Sequence, residues 1–527
     1  MPSTDSAEFG PWRSFFWPIS RWEVKKFVPL LILYALVCLI YNLLKTAKDA
    51  LVVTASESGA VAIPFIKIWG IFPMALVVTF LLSRLFNRIS LEKLFYIMVG
   101  GFLFFFLIFA TVLYPLRDVI HPNKVADQLQ LLLPHGFQGL ISIFRNWSYT
   151  LFYVVSEFWG TVIMSIIFWA FVNEIMTVKD AKRVYGILNI GANIAAICSG
   201  QIVIFFSGGL GDFPFLFGAD RWEQCLRLTV GLVICVGLIS IFLFRWYNLN
   251  VIRRDSALKH VWDNHRRTQP NSVKMGLRAN FAYLLQSRYL LCIAVLVVAF
   301  NVTTNMLDLI WKDQVSLLYP NPNDFNSYMG RVLTLTGILS TFVGFFLCGN
   351  VIRKVGWTVS ALITPIALLV TGTLFVGFLL LEGRPLCLSW MVAIGWAPLI
   401  IGVLFGTIQN VLSRSCKFTL FDTTKEIAFI PLNSESKLQG KAAIDGLMSR
   451  AGKMSGSLLH SGLLVFFGSV SLSTPFVGLL LLFVVFGWIV ATRSLGRQFT
   501  HLTSHDKTLD IRISKPAMEE ELSAQKT

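Results

Sequence analysis

Apolar residues in this chain come in long unbroken blocks, with polar residues confined mainly to the gaps between them. A helix needs about 20 predominantly apolar residues to cross the hydrocarbon core of a bilayer. Blocks of that kind occupy 28–44, 61–83, 94–115, 147–172, 185–206, 226–244, 289–310, 331–349, 357–381, 386–411, 443–470 and 474–492. The pattern predicts an all-α membrane protein with twelve transmembrane helices. The first block is short and is expected to continue past Lys45. The run 131–144 is too short to span and is expected to lie at the membrane interface.

The basic residues give these spans a direction. The N-terminus, the gaps after even-numbered spans and the C-terminus hold 32 Lys and Arg, whereas the gaps after odd-numbered spans hold about ten. Under the positive-inside rule this alternation puts both termini in the cytoplasm. The net charge of +16 is then mostly topology and does not imply nucleic-acid binding. The densest basic run separates two sets of six spans. The expected organisation is a cytoplasmic N-terminus (1–27), a six-helix bundle (28–244), a basic cytoplasmic linker (245–288), a second six-helix bundle (289–492) and a cytoplasmic tail (493–527).

Composition narrows the function. Only 14% of residues are charged and 55% are apolar, against about 25% charged in soluble proteins. The eight Cys are scattered without a CxxC pair, so neither a zinc site nor a disulfide framework is expected. Residues 1–26 lack a signal-peptide layout, because Asp5, Glu8 and Glu23 precede a first apolar run that continues as a span. They also lack the acid-poor, Arg/Ser-rich character of an organelle transit peptide. The seven His show no metal-ligand spacing, and no nucleophile–base arrangement is apparent. No cofactor and no enzymatic activity are expected. The string Gly446–Lys453 resembles a phosphate-cradling loop, but it has five residues between its glycines and Met454 after the lysine.

The two halves echo each other. Asn42-Leu43-Leu44-Lys45 through Asp49 at the end of span 1 is matched by Asn305-Met306-Leu307-Asp308 through Asp313 in span 7. Asn173-Glu174-Ile175 with Gly191-Ala192-Asn193 is matched by Lys425-Glu426-Ile427 with Ala451-Gly452-Lys453. Parallel six-helix repeats point to a major-facilitator-like architecture, with the substrate near the midplane between the halves.

A charge inside a span is costly and marks function by default. Lys67, Glu157, Asp308 and Lys453 are such charges, Lys48 follows span 1, and Arg450 lies close by. Buried cations suit a phosphate-bearing substrate, because they offset its desolvation with charge-assisted hydrogen bonds. The carboxylates would hold those cations while the site is empty, or carry a proton. The competing reading is structural. Lys48, Lys67 and Arg450 could snorkel to an interface, Asp308 lies close to a span end, and Glu157 and Lys453 could form a purely structural ion pair.

Several strings are similar to the ATP/ADP translocase family, the non-mitochondrial nucleotide carriers of obligate intracellular bacteria and plastids. They are Thr46–Thr54, Ala62–Lys67, Ser156-Glu157-Phe158-Trp159-Gly160, Phe421–Leu432 and Gly440–Asp445, within a resemblance running from about Trp17 to Arg497. The resemblance implies a multi-pass protein of a bacterial inner membrane that moves ATP, ADP and other nucleoside triphosphates. It also implies transport-critical residues at Lys48, Glu157, Asp308 and Lys453. Together with Lys67, Arg450, Asn305 and Asn193, these form the expected substrate site, with Glu157 and Asp308 as coupling residues. The chain is expected to act as a monomer in the lipid bilayer.

The chain departs from the family pattern where Asp308 replaces Glu and Met454 replaces Ser. A carboxylate one methylene shorter and a lost hydroxyl favour proton-coupled net import over strict ATP/ADP exchange. Outside the family, the alternatives are a facilitator for another phosphorylated anion and a membrane enzyme acting on lipid-linked substrates. The enzyme would need a polar catalytic cluster at one membrane face.

Overall fold

The structure, a computed structural model, describes residues 23–176, 178–208, 220–254, 287–344, 349–381, 397–432 and 440–504. The first six long helices are α1 (Val24–Val53), α2 (Ala62–Phe86), α3 (Leu91–Leu113), α4 (Trp147–Ile175), α5 (Val178–Ser207) and α6 (Arg221–Ile252). After the linker come α7 (Arg288–Leu318), α8 (Pro322–Phe342), α9 (Gly349–Leu381), α10 (Pro398–Ala428), α11 (Ser449–Phe467) and α12 (Val470–Ser504). Among the described residues, ten helices are long and apolar enough to cross a membrane. The protein is an all-helical, multi-pass membrane protein.

The two helices outside that ten, α8 and α11, are polar for a reason. Asn326 of α8 donates to Ser207 of α5 at 3.0 Å, and Ser457 of α11 accepts from Asn305 of α7 at 2.7 Å. Their polar side chains face other helices and not lipid, so low hydropathy marks them as lining helices. Lipid-facing positions look different: Phe80, Phe104, Phe242 and Phe483 are large, apolar and exposed, as a surface in contact with acyl chains requires.

Several boundaries differ from the hydropathy reading. α1 continues to Val53, carrying Lys45 and Lys48 inside a single helix. α8 starts at Pro322 and not near 331, because Asn321 caps it and proline suits the first turn. α10 runs from Pro398 to Ala428, later than 386–411, and takes the Phe421 string into the helix. The predicted residues 386–396 of that span lie outside the described residues, as do 255–286 of the linker. The run 131–144 belongs to a cap of three short helical pieces, ending in Gln138–Arg145. Gly136 of this cap lies so close to α11 that an added Cβ would stand 2.2 Å from the Val465 carbonyl oxygen.

The helices pack in a repeated order. α1 lies against α4, α5 and α6, and α7 lies against α10, α11 and α12. α3 joins α6 as α9 joins α12, while α5–α8 and α2–α11 are among the contacts that join the two sets. Each of those two contacts is the other's counterpart under a two-fold exchange of the repeats. Glycines make the closest approaches possible. A Cβ on Gly200 of α5 would meet the Gly330 carbonyl of α8 at 2.5 Å, and one on Gly452 of α11 would meet Val298 Cα of α7 at 3.0 Å. Small residues of this kind let membrane helices dock backbone to backbone.

Candidate functional site

The string Ser156–Gly160 on α4 locks that helix onto α1. The Trp159 indole donates to the Val37 carbonyl at 3.1 Å, and Gly160 leaves room for the Tyr41 ring, which a Cβ would meet at 2.6 Å. The register this sets brings Glu157 to Lys48, and the two form an ion pair. Lys48 also sits over the ring of Tyr153, one helical turn from Glu157, at 3.8 Å. A cation over an aromatic face in a desolvated setting gains further attraction. Lys48 is thus fixed and not snorkelling. Immediately beyond Glu157, α4 loosens into a π-helical stretch, Trp159–Ile167; such stretches recur at functional positions.

The second half has the same construction with the charges exchanged. Here α7 carries the acid, Asp308, and α10 supplies the cation, Arg414, at 3.0 Å, with Asn410 donating at 2.9 Å. The Trp311 indole donates to Thr407 of α10 at 3.0 Å, and Gly406 leaves room for that indole. Lys312, one turn along α7, bonds Asp308 at 2.9 Å and Asp49 of α1 at 2.8 Å.

α2 and α11 complete the centre. Lys67 lies in a π-helical segment of α2, Ile66–Ile71, and donates to the Asn305 side-chain oxygen of α7. Asn305 in turn donates to the Lys453 carbonyl at 3.0 Å and to Ser457. These bonds need the close α7–α11 approach at Gly452 and Gly456, where a Cβ would crowd Val298, Asn301, Val302 and Asn305. Lys453 itself is exposed and makes no ion pair among the described residues, while its charge is within electrostatic reach of Glu157. Met454, beside it, offers no hydroxyl.

The eight residues singled out from sequence therefore divide. Lys48, Lys67, Glu157, Asn305, Asp308 and Lys453 converge on the space between α1, α2, α4, α7 and α11. Arg450 is exposed near the start of α11, three residues before Lys453, and makes no ion pair among the described residues. Asn193 lies elsewhere: its backbone carbonyl faces Gly337 in the α5–α8 contact. Sequence reasoning passed over Asp49, Lys312 and Arg414. The spacing Asp308-x-x-x-Lys312 was an available signal, since residues four apart share a helix face. The last two strings of resemblance, Phe421–Leu432 and Gly440–Asp445, meet each other instead of the centre, through Lys425–Asp445 at 2.7 Å and Lys441–Glu426 at 2.5 Å. Among the described residues no cluster of His, Cys, Asp and Glu could hold a metal ion.

Comparison with known proteins gives a consistent picture. The profile of the family described as TLC ATP/ADP transporter matches residues 2–499. ADP,ATP carrier protein 1 of Chlamydia pneumoniae is 41% identical over 500 residues, covering 95% of this chain and 96% of that protein. ADP,ATP carrier protein 2 of the same organism is 41% identical over 505 residues, covering 95% and 93%. The plastidic ATP/ADP-transporter of Solanum tuberosum is 39% identical over 496 residues, covering 93% of this chain and 76% of its own. Among solved structures, a bacterial homologue of the iron transporter ferroportin in an inward-facing state aligns over 89% of this chain and 100% of its own, with 12% identity and a TM-score of 0.49.

Proposed function

Because the chain belongs to the TLC ATP/ADP transporter family, and so is a membrane nucleotide transporter and not an enzyme, we propose that it exchanges nucleotides across a bacterial inner membrane by alternating access. Lys48, Lys67 and Lys453 would take the phosphates. The observation that carries this reading is the state of the charges. Among the described residues, Lys453 stands exposed without an ion pair, beside a Lys48–Glu157 pair that an incoming phosphate can open. Phosphate oxygens would compete with Glu157 and Asp308 for the same cations.

Exchange as the mode of coupling is supported by what joins the two halves. Asp49–Lys312 and Lys67–Asn305 both join the first half to the second. Ser207–Asn326 and Gly136–Val465, further contacts between the halves, lie toward the ends where α1 and α7 finish. We read this as a carrier closed on its outer face and held there by ion pairs until phosphates compete for them. A carrier that reorients only when loaded performs exchange. Exchange also suits a polyanion, because an interior-negative membrane opposes its entry by about 2.3 kcal/mol per charge per 100 mV, and an outgoing nucleotide offsets most of that.

Proton-coupled net import is the second reading, favoured by Asp308 standing where the family pattern has Glu. A carboxylate deprived of its cation by substrate phosphates becomes a base able to carry a proton inward. The deciding experiment is uptake of labelled ATP by proteoliposomes, with and without internal ADP and with and without a pH gradient. Uptake that needs internal nucleotide and ignores a protonophore supports exchange. Uptake into nucleotide-free vesicles that collapses with the protonophore supports import.

A further inference from the structure

His460 lies on α11 seven residues beyond Lys453, on the same face of the helix and about 10 Å farther along it. Its side chain is 1% exposed, yet neither ring nitrogen has a hydrogen-bond partner among the described residues. It lines a narrow cleft between α2, α7 and α11, together with Lys67, Asn305 and Asp308, and with Ile63 and Leu309 as apolar walls. Buried polar groups are nearly always paired, so an imidazole left open at both nitrogens, in a cleft edged by the central charges, points to a ligand.

The chemistry of the ring selects the kind of ligand. Neutral imidazole offers one N–H donor and one acceptor, on different edges. A phosphate oxygen only accepts, and would leave the ring acceptor unanswered. Sugar hydroxyls and the edges of nucleobases carry donors and acceptors together. The spacing fits as well, because Lys48 pairs with Glu157, Lys453 lies within electrostatic reach of it, and His460 lies two turns past Lys453.

We propose that His460 reads the nucleoside end of the transported nucleotide, through a sugar hydroxyl or the edge of the base, and so sets substrate specificity. This rests on the nucleotide-transport reading above. The cleft is narrow in the conformation described, so α2 and α11 part around the substrate as the contact forms, which alternation of the site between two faces requires in any case.

The test is competition. Uptake of labelled ATP into proteoliposomes is measured against unlabelled ATP, 2′-deoxy-ATP, 3′-deoxy-ATP, GTP and CTP, for the unaltered protein, His460→Ala and His460→Gln. Loss of one hydrogen bond to substrate corresponds to roughly tenfold in affinity. The expected result is that His460→Ala weakens ATP about tenfold and collapses one preference found in the unaltered protein. Collapse of the ATP over deoxy-ATP ratio assigns the contact to the sugar; collapse of the ATP over GTP or CTP ratio assigns it to the base. His460→Gln, which keeps a donor and an acceptor, should retain part of that preference. Unchanged competitor ratios in a His460→Ala protein that still transports would overturn the proposal while leaving nucleotide transport intact. Failure of the unaltered protein to transport any nucleotide would instead overturn the reading beneath it.

Discussion

Asp49 and Lys312 form an ion pair at 2.8 Å between the two halves of the protein, each side chain only 5% exposed, and they occupy matched positions of the internal repeat. They stand 263 residues apart, as do Lys45 and Asp308, and Asn42 and Asn305. At each charged pair the repeats carry opposite signs. Equivalent helices of parallel repeats face each other at matched heights across their shared axis, so like charges there would repel. Inverting the signs turns the same symmetry into attraction. The inversion extends outward, with Lys48 bound to Glu157 in one half and Asp308 bound to Arg414 in the other.

Removing one member of the Asp49–Lys312 pair leaves the other buried, at a cost of about 3–5 kcal/mol. Asp49→Asn and Lys312→Met are each expected to raise efflux of preloaded nucleotide into nucleotide-free medium, because the empty carrier is no longer held on one side. The exchanged pair, Asp49→Lys with Lys312→Asp, should restore retention. Wild-type efflux in both single variants would remove the pair from the gate.

Lys48→Gln and Lys453→Gln should each weaken nucleotide affinity. A hydrogen bond to a charged group contributes about 1.5–3 kcal/mol, so losses between about tenfold and a hundredfold are expected in equilibrium binding of ATP to detergent-solubilised protein. Arginine should rescue poorly at Lys48, where a compact ammonium lies over the Tyr153 ring and a planar fork would not fit the same contact. Near-normal affinity in either Gln variant would reassign that lysine to a structural role.

Gly452 sets the distance between α7 and α11. Gly452→Leu places bulk where even a Cβ would lie 3.0 Å from Val298 Cα, and overpacking of this kind costs about 1–3 kcal/mol. The thermal midpoint in detergent should fall, and ATP affinity should fall with it, because Asn305 loses its bonds to Lys453 and Ser457. A lower midpoint with unchanged affinity would separate the helix contact from the site.

Topology can be checked directly. Reporter fusions at both termini and within 255–286 are expected to give cytoplasmic signals, and fusions in the connection between α3 and α4 an external one. An external signal from 255–286 would contradict the charge-based orientation.

Much of this protein was determined by its sequence alone. Long apolar blocks have to become spans because a bilayer leaves backbone groups no partner outside a helix, and Lys48, Glu157 and Asp308 stood out because charges in such blocks are expensive. Local chemistry also fixed Asn321-Pro322 as a helix start, a signal that hydropathy passes over in so polar a helix as α8. Tertiary structure alone decided which charges meet. Lys312 and Asp49 looked like ordinary span-end residues, and their burial against each other exists only once α1 and α7 lie side by side. The same holds for Arg414, which looked like a loop cation until α10 extended past it. It holds for His460 too, whose unanswered nitrogens are a property of the cleft that α2, α7 and α11 enclose. Asn193, prominent in the repeat, ended in a helix contact away from the centre, because a periodic sequence match fixes position along a helix but not the neighbour that helix finds.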